Sequence, residues 1–377
     1  MAISELRASA LRDRAQQSAI LLIMLMVIFG AGASYDSCPT YSPGMSIEGT
    51  VDGGALNSYN RPPLANELFA NRPFFAHTIT RFPDCQPIVP RLRRLKGETL
   101  EAALEDLQTQ ANDYPRGRRQ LAAVRCYLHQ VICGSENAWG RVTMGVTNYK
   151  SLLDQIERAQ PKEPVCLVTF NYDTLLEDAL RQFGLPINSF EDYTKSHPFY
   201  RVFKLHGSTN WAREIDTDAP IQIEMGFEPE SVFALLMENW DSIRVTDRYL
   251  FSPHDWIGVN ARKLMFPAIA IPVEKKRSFE CPAEMLESLV ELLPGVSKLL
   301  VIGWRATEAH FLGLLGNRLA GLRGGIRLHV VAKGEGDDVR VRICRALANN
   351  PPASFSVEPG GFTDFILGGR VADFLGD

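Results

Sequence analysis

The sequence predicts an α/β fold built on a doubly wound parallel sheet. Short apolar segments of strand length alternate with stretches of helical periodicity, as βαβ units require. Several of the apolar segments end in glycine or in a polar residue, as strands do at a ligand-binding edge. At 377 residues, the length fits one large domain with insertions or two domains. We predict a single domain spanning residues 1–377.

Five segments are predicted to be buried strands. They are Ala19–Phe29, Val165–Phe170, Val202–Leu205, Lys298–Gly303 and Ile326–Ala332. The segment Ala19–Phe29 follows a predicted polar-faced helix, Ile3–Gln17. Because it is an apolar run behind basic residues, it also resembles a signal peptide. That run is about half the roughly 20 residues that a membrane span requires. The glycine turn that follows it favours a central strand that is apolar on both faces.

Helices are predicted where apolar residues recur at helical spacing. These segments are Glu98–Ala111, Arg118–Cys133, Thr147–Arg158, Thr174–Phe183 and Glu308–Leu322. The first three form a predicted helical insertion over residues 64–160, and residues 212–262 form a predicted small lid module. The sheet core is then expected to comprise residues 19–34, 163–211 and 298–377, with a long loop over 35–63. This arrangement is Rossmann-like.

Composition excludes several classes of function. Lys and Arg total 40 against 44 Asp and Glu, a formal net charge of −4, with no long run of one sign. This balance does not favour direct binding to a nucleic-acid backbone. The seven cysteines are scattered, and none is separated from another by only two residues. We therefore predict no zinc ribbon, no other metal site and no disulfide framework, as suits a reducing cytoplasm.

Two motifs place polar or flexible residues after predicted strands. Gly30–Ser34 reads GAGAS, and its glycines would let the backbone approach a diphosphate closely. The motif lacks the third glycine of a full dinucleotide fingerprint, so a plain tight turn is the alternative. Thr169–Glu177 reads TFNYDTLLE, which directs Asn171 and Asp173 into the crevice at the sheet edge. Helix capping is an equally common use of an aspartate such as Asp173.

Two further motifs follow later strands. Lys204–Trp211 reads KLHGSTNW, where His206 is well placed for general-base chemistry near neutral pH. A structural histidine in a turn is the simpler alternative. Val301–Phe311 reads VIGWRATEAHF, where a strand ends in glycine and a helix begins near Thr307. Thr307 and Glu308 could cap that helix, or either could bind a ribose or an adenine.

In this order the four motifs resemble those of the sirtuin family, specifically its bacterial NAD⁺-degrading branch in anti-phage defence. The resemblance covers residues 19–34 and 163–332, with RPPLANELF at Arg61–Phe69 similar to the family's loop after the first glycine turn. It implies that Asn171 and Asp173 bind the nicotinamide end and its ribose, and that His206 is the catalytic histidine. The implied NAD⁺-binding residues are Gly30, Ala31, Gly32 and Ser34 at the diphosphate, Ser208 after the histidine, and Gly303, Trp304, Arg305 and Glu308 near the adenosine.

The sequence departs from the protein-deacylating sirtuins at three points. It lacks their paired cysteines, and its asparagine motif continues into Leu175–Leu176 where they carry a second histidine. Glu308 stands where many relatives have aspartate. The first two differences favour an NAD⁺ hydrolase that releases nicotinamide and ADP-ribose. A protein deacylase or ADP-ribosyltransferase, or a non-catalytic subunit that binds NAD⁺ or ADP-ribose, remains the alternative.

The resemblance also implies regulation, because an ungated NAD⁺ hydrolase would kill its host. Homo-oligomerisation, closure of the loop over the site, or a separate activator could supply the gate. In this branch of the family, partners include DNA-translocating ATPases and short Argonaute proteins. We expect a cytoplasmic protein that has NAD⁺ as its substrate and no membrane partner.

Overall fold

The computed structural model describes residues 24–41, 43, 50–51, 54–55, 58–95, 99–111, 115–160, 163–217, 229–252, 259–260, 263–273, 279–319 and 325–376. The predicted helix Ile3–Gln17, the first residues of the strand Ala19–Phe29 and the last residues of the helix Glu308–Leu322 lie outside the described residues.

The elements alternate along the chain largely as the periodicity predicts. The strands of more than two residues are β1 (Met24–Phe29), β2 (Val165–Thr169), β3 (Tyr200–Lys204), β4 (Gly207–Thr217), β5 (Ile243–Phe251), β6 (Lys263–Ile269), β7 (Val296–Ile302), β8 (Arg327–Val331) and β9 (Ser354–Glu358). The helices are α1 (Ala31–Tyr35), α2 (Pro73–Ile79), α3 (Val89–Arg93), α4 (Leu100–Ala111), α5 (Pro115–Thr143), α6 (Asn148–Ala159), α7 (Leu175–Gln182), α8 (Phe190–Thr194), α9 (Pro229–Glu238), α10 (Ala283–Leu292), α11 (Ala309–Arg318), α12 (Gly336–Ala346), α13 (Phe362–Leu367) and α14 (Arg370–Gly376).

Six strands form one parallel sheet in the spatial order β9-β8-β7-β1-β2-β3. Numbered along the chain within this sheet, the order is 3-2-1-4-5-6, the order of dinucleotide-binding sheets. The predicted Rossmann-like fold class is therefore confirmed. Every residue of the central strand β1 is buried, which explains why its sequence is apolar on both faces.

Two local predictions were wrong. The GAGAS segment is not a turn, because Gly30 is the N-cap of α1 and the helix begins directly at Ala31. The edge strand β9 was not predicted, so residues 333–377 contribute one more strand to the sheet. Its sequence SFSVE carries no buried apolar run, since its first three residues are exposed at the sheet edge.

Helix α5 extends well beyond the predicted segment Arg118–Cys133. The continuation contains Gly134 and Gly140, which weaken the helical signal in the sequence. It is nevertheless held by burial, because Trp139 and Val142 pack into the hydrophobic core beneath the parallel sheet. The C-terminal end of α5 therefore belongs to the sheet core.

A second hydrophobic cluster joins two parts of the chain that the sequence separates. It contains side chains from α2 to α4, from the first part of α5, from α9 and from β6, and we call this cluster the helical lobe. β6 also belongs to a four-stranded antiparallel sheet with β4, β5 and Val259–Asn260. The predicted insertion and lid thus share one core, and their division into modules stays a prediction.

Candidate active site

The carboxyl ends of β1, β2, β3, β7 and β8 open into one cavity of about 500 Å³. Sheets of this strand order bind ligands at this edge, where neighbouring connections diverge. The cavity wall includes the predicted residues Gly30, Ala31, Gly32, Ser34, Asn171, Asp173, His206, Gly303, Trp304, Arg305 and Glu308. Ser208 does not line it, since this side chain is buried in β4 and donates to the Tyr172 carbonyl oxygen at 3.4 Å.

The glycines at the ends of β1 and β7 pack directly against each other. The Gly30 amide donates to the Ile302 carbonyl oxygen and the Gly32 amide to the Gly303 carbonyl oxygen, both at 3.0 Å. Gly303 has a φ of +60°, and a Cβ there would lie 2.2 Å from the Ala33 nitrogen. Close backbone approach therefore requires these glycines. Because two of their amides are already paired, contact with a diphosphate has to come from other groups of this segment.

Asn171 ties the end of β2 to the start of α1. Its Nδ2 donates to the Gly30 carbonyl oxygen at 2.9 Å and lies 2.9 Å from the Ser34 hydroxyl and 3.1 Å from the Tyr149 hydroxyl. Those two hydroxyls are 2.9 Å apart. Burial raises the pKa of Tyr149 well above its ordinary value, so its hydroxyl stays protonated. The network holds the Asn171 carboxamide in one orientation at the cavity wall.

Asp173 has two uses in the structure. Its Oδ1 accepts a hydrogen bond from the Leu175 amide at 3.3 Å, although the N-cap of α7 is Thr174 and not Asp173. The same side chain lines the cavity. Burial raises the pKa of Asp173, and this effect outweighs the lowering by the nearby Lys204 charge and by the hydrogen bond with Ser34. The carboxyl group is thus partly shielded from water where it faces the cavity.

His206 follows β3 and lies between aromatic rings. Its imidazole centroid is 4.8 Å from that of Phe170 and 6.3 Å from that of Tyr172. The next residue, Gly207, has a φ of +83°, and a Cβ there would lie 1.9 Å from the Ala268 carbonyl oxygen. Glycine is required where β6 crosses behind the histidine. His206 and the asparagine from the neighbouring strand share one cavity, so a potential general base and a carboxamide meet there.

The loop after β7 forms a further wall. The Trp304 indole stacks on Phe170, with centroids 5.2 Å apart and planes inclined by 14°. Its Nε1 donates to the Glu308 carboxylate at 2.5 Å. Ala306 has a φ of +54°, a left-handed conformation that residues other than glycine seldom adopt. Arg305 is exposed beside this loop. This wall therefore combines the stacked Trp304 and Phe170 rings with the charged side chains of Arg305 and Glu308.

Helix α5 adds a carboxyl group that reasoning from the sequence missed. Glu136 Oε1 accepts hydrogen bonds from the Thr174 amide at 3.0 Å and from the Thr174 hydroxyl, and Oε2 accepts from the Thr209 hydroxyl at 3.3 Å. Burial, followed by the negative charge of Asp173, raises the pKa of Glu136 to about 8. The group is therefore mainly protonated at neutral pH. A carboxyl with such a pKa in a cavity is typical of functional sites.

A buried ion pair lies beside the cavity. Lys204 Nζ is 2.9 Å from Glu177 Oε1, with side chains that are 0% and 2% exposed. Lys204 also donates to the Asp173 carbonyl oxygen, and the Tyr193 hydroxyl donates to Glu177 at 3.0 Å. Lys204 therefore connects the end of β3 to the backbone of the turn after β2.

Comparison with known proteins links part of this site to one family. Residues 165–233 match the SIR2-like domain. The matched segment contains β2, β3, Asn171, Asp173 and His206, and it supports a sirtuin-like relationship for this part of the chain. No curated protein sequence is significantly similar to the chain.

Solved structures of Sir2 proteins are similar at low sequence identity. A Sir2 homologue with 2'-O-acetyl-ADP-ribose is 13% identical, with 93% of this chain and 91% of that chain covered and a TM-score of 0.39. Sir2Tm bound to a propionylated peptide is 12% identical, with 92% of each chain covered and a TM-score of 0.34. Sir2 with a p53 peptide and NAD⁺ is 12% identical, with 93% of this chain and 94% of that chain covered and a TM-score of 0.35. The fold assignment rests on the strand order alone.

Tyr149 and Glu136 lie outside the SIR2-like segment, on helices whose apolar spacing looks ordinary. Tyr149 begins an amphipathic helix and gives no separate signal. For Glu136 a signal existed, since the polar residues Ser135–Asn137 between Gly134 and the buried Trp139 interrupt the apolar stripe of α5. A carboxylate in such an interruption is a candidate for contact with a polar site.

The described residues contain no group of three or more His, Cys, Asp or Glu side chains that could hold a metal ion. None of the helices in the described part of the chain combines the length and the hydropathy needed to cross a bilayer. All seven cysteines are free thiols.

Proposed function

We propose that the chain is an NAD⁺ hydrolase that cleaves the bond between nicotinamide and ribose. The observation that carries the proposal is the meeting of Asn171, Asp173 and His206 on one cavity wall at the carboxyl edge of a dinucleotide-binding sheet. The SIR2-like match over the same three residues supports it. NAD⁺ is the substrate, and no metal takes part in the proposed reaction.

In the proposed complex, NAD⁺ lies along the strand ends. The nicotinamide ribose lies between Asn171, Asp173 and His206, and the diphosphate lies over the start of α1. The other proposed contacts with the diphosphate are made by Ala31 and Ser34, while Gly30 and Gly32 let the backbone approach it without a Cβ in the way. Gly303, Trp304, Arg305 and Glu308 are proposed to lie toward the adenosine. Ser208 supports the turn after His206 from within β4. Arg305 and Lys333 line the cavity and offer positive charge for the phosphates.

The reaction requires stabilisation of a positive ribose and deprotonation of water. The bond from C1′ to the nicotinamide nitrogen breaks, and its electron pair leaves with neutral nicotinamide. A water oxygen then bonds to C1′, and the proton that water loses passes to the His206 imidazole. Asn171 orients the nicotinamide amide or the water, while the Asp173 carboxyl faces the developing positive charge. A positioned general base contributes ~10²–10⁴-fold to such a step.

Product analysis of NAD⁺ incubated with the purified chain tests the proposal. We expect equal amounts of nicotinamide and ADP-ribose without any added peptide, and turnover reduced by roughly 10²–10⁴-fold in His206→Ala. Asn171→Ala should be similarly impaired. His77→Ala and Asn188→Ala, at exposed positions away from the cavity, are the matched controls. Normal turnover by both site variants would refute the assigned roles, and product formation only with an acylated peptide would favour a deacylase.

We propose further that the enzyme is the gated effector of an anti-phage defence system and acts in the cytoplasm. The whole chain forms one catalytic domain, with residues 64–160 as a helical insertion and residues 212–262 as a lid. A homo-oligomer and a separate activator, such as a DNA-translocating ATPase or a short Argonaute, would control it. Turnover measured with and without the product of the neighbouring gene tests the gate. If neither condition gives turnover while ADP-ribose binds, the chain is a binding subunit.

A further inference from the structure

We propose that Glu136 is a positioning residue, through which helix α5 holds two segments in register with each other: the turn after β2 and the segment His206–Thr209, which follows β3 and enters β4. The inference rests on the proposed hydrolase function and extends it to a residue outside the four motifs. One carboxyl group joins the two segments. Its Oε1 binds the Thr174 amide and hydroxyl, one residue after Asp173, and its Oε2 binds the Thr209 hydroxyl, three residues after His206.

A second side chain of α5 also contacts the start of β4, so the connection does not depend on Glu136 alone. His129 lies two helical turns before Glu136 and therefore on the same face of α5. Its Nε2 lies 2.8 Å from the Thr209 carbonyl oxygen. Helix α5 thus contacts both the backbone and the side chain of Thr209. Because α5 spans the helical lobe and the sheet core, it connects the lobe to the site.

The neighbouring charges determine the protonation state in which Glu136 makes these contacts. The groups that face it are Asp173 in the turn after β2, Asp178 on α7 and Lys204 on β3. Burial and the two aspartates raise the pKa of Glu136 to about 8, and Lys204 opposes them. The protonated acid can accept from Thr174 through one oxygen and pair with Thr209 through the other. Deprotonation places a second negative charge beside Asp173, which we expect to push the two segments apart.

Two substitutions separate positioning from proton transfer. E136Q keeps the shape, since its amide oxygen can accept from Thr174 and its NH₂ can donate to the Thr209 hydroxyl, which rotates to accept instead of donating. E136A removes both contacts. We expect E136A to lower kcat on the order of 100-fold with little change in KM, because small displacements of reacting groups have effects of this size. E136Q should retain wild-type kcat at pH 7.

The pH profile adds a readout that a purely structural role would not change. Wild-type kcat should fall as the pH rises through about 8, and this fall should be absent in E136Q. Glu287→Gln, at an exposed position on α10, is the control and should keep the wild-type profile. Wild-type kcat in E136A would overturn the proposal. Equal loss in E136A and E136Q would also overturn it, because the carboxyl would then be needed for proton transfer.

NMR of the His206 imidazole, with all histidines labelled at Cε1, tests positioning without turnover. The Phe170 ring beside His206 makes its resonance sensitive to small movements, and His206→Ala identifies the signal. The resonance should shift in E136A and stay in place in E136Q; an unchanged resonance in E136A contradicts the proposal. If E136A does not fold, Thr209→Val, which removes only the Oε2 contact, takes its place. A wild-type chain without NAD⁺ turnover, both alone and with the product of the neighbouring gene, would refute the hydrolase, while this measurement would still decide the role of Glu136.

Discussion

The strand-end turns and the helices packed on them build the cavity in different ways. The turns present Asn171, Asp173 and His206 directly, at places that the sheet ladder and close glycine contacts determine. Helices α5 and α6 contribute Glu136 and Tyr149, which reach those turns only through side-chain hydrogen bonds. The comparison indicates that backbone packing places the chemistry, and that helical side chains adjust its orientation. Substitutions that disturb the packing of the strand ends, at the glycines or at the buried ion pair, should therefore damage the fold, and substitutions on the helices should mainly damage activity.

Breaking the buried ion pair at the end of β3 should have the largest effect. In Lys204→Met the Glu177 carboxylate loses its cation, and an uncompensated buried charge costs about 3–5 kcal/mol of unfolding free energy. Denaturant unfolding measures the loss. The double variant Lys204→Met/Glu177→Gln is the matched control and should recover most of the stability, because no charge remains buried. Wild-type stability in the single variant would show that the end of β3 tolerates a buried carboxylate without its cation.

Gly303→Ala should have the next largest effect, and it tests the close packing of the glycines at the ends of β1 and β7. The left-handed backbone costs alanine about 1–2 kcal/mol, and overpacking against α1 costs about 1–3 kcal/mol more. Gly313→Ala is the control, since that glycine is exposed within α11 and a Cβ there meets nothing within 4 Å. Thermal unfolding should show a lower midpoint for the first variant and no loss for the second. Equal midpoints would mean that the ends of β1 and β7 can separate without cost.

The sequence predicted the sheet well because its strands are almost wholly apolar and end in recognisable residues. Strands β1, β2, β3, β7 and β8 were all predicted, while β9 was not, since an exposed edge strand needs no apolar run. The position of His206 beside Asn171 followed from the rule that parallel strand ends share one edge. The packing of Gly30 against the end of β7 could not be predicted from the sequence, because contacts between distant backbone segments leave no local pattern.

The helical contributions could not be predicted for a related reason. Tyr149 and Glu136 are separated in sequence from the turns they contact, and helical periodicity shows only that one face is buried. Whether a polar residue on that face meets solvent or a cavity depends on the tertiary packing. The shared core of the predicted insertion and lid was hidden in the same way, since α9 and β6 join it from a remote part of the chain.

Tyr149→Phe should have the smallest effect on stability, and it separates loss of orientation at Asn171 from loss of packing. The ring packing against Phe29 and Phe362 is kept, so loss of the buried hydroxyl should cost about 0.5–1.5 kcal/mol. Its effect on turnover should be clearer, because the Asn171 carboxamide loses one of the partners that orient it. We expect kcat to fall about tenfold, equivalent to ~1.4 kcal/mol in the activation barrier.

Tyr127→Phe provides the matched control for that variant. Its hydroxyl is equally buried and donates to the Leu68 carbonyl oxygen at 3.0 Å, within the helical lobe. The two variants should therefore lose similar stability in denaturant unfolding, while only Tyr149→Phe loses turnover. If both variants keep wild-type kcat, helix α6 supports the fold around the site without orienting Asn171. If both variants lose turnover equally, turnover simply follows stability. Helix α6 would then have no separate role in orienting Asn171.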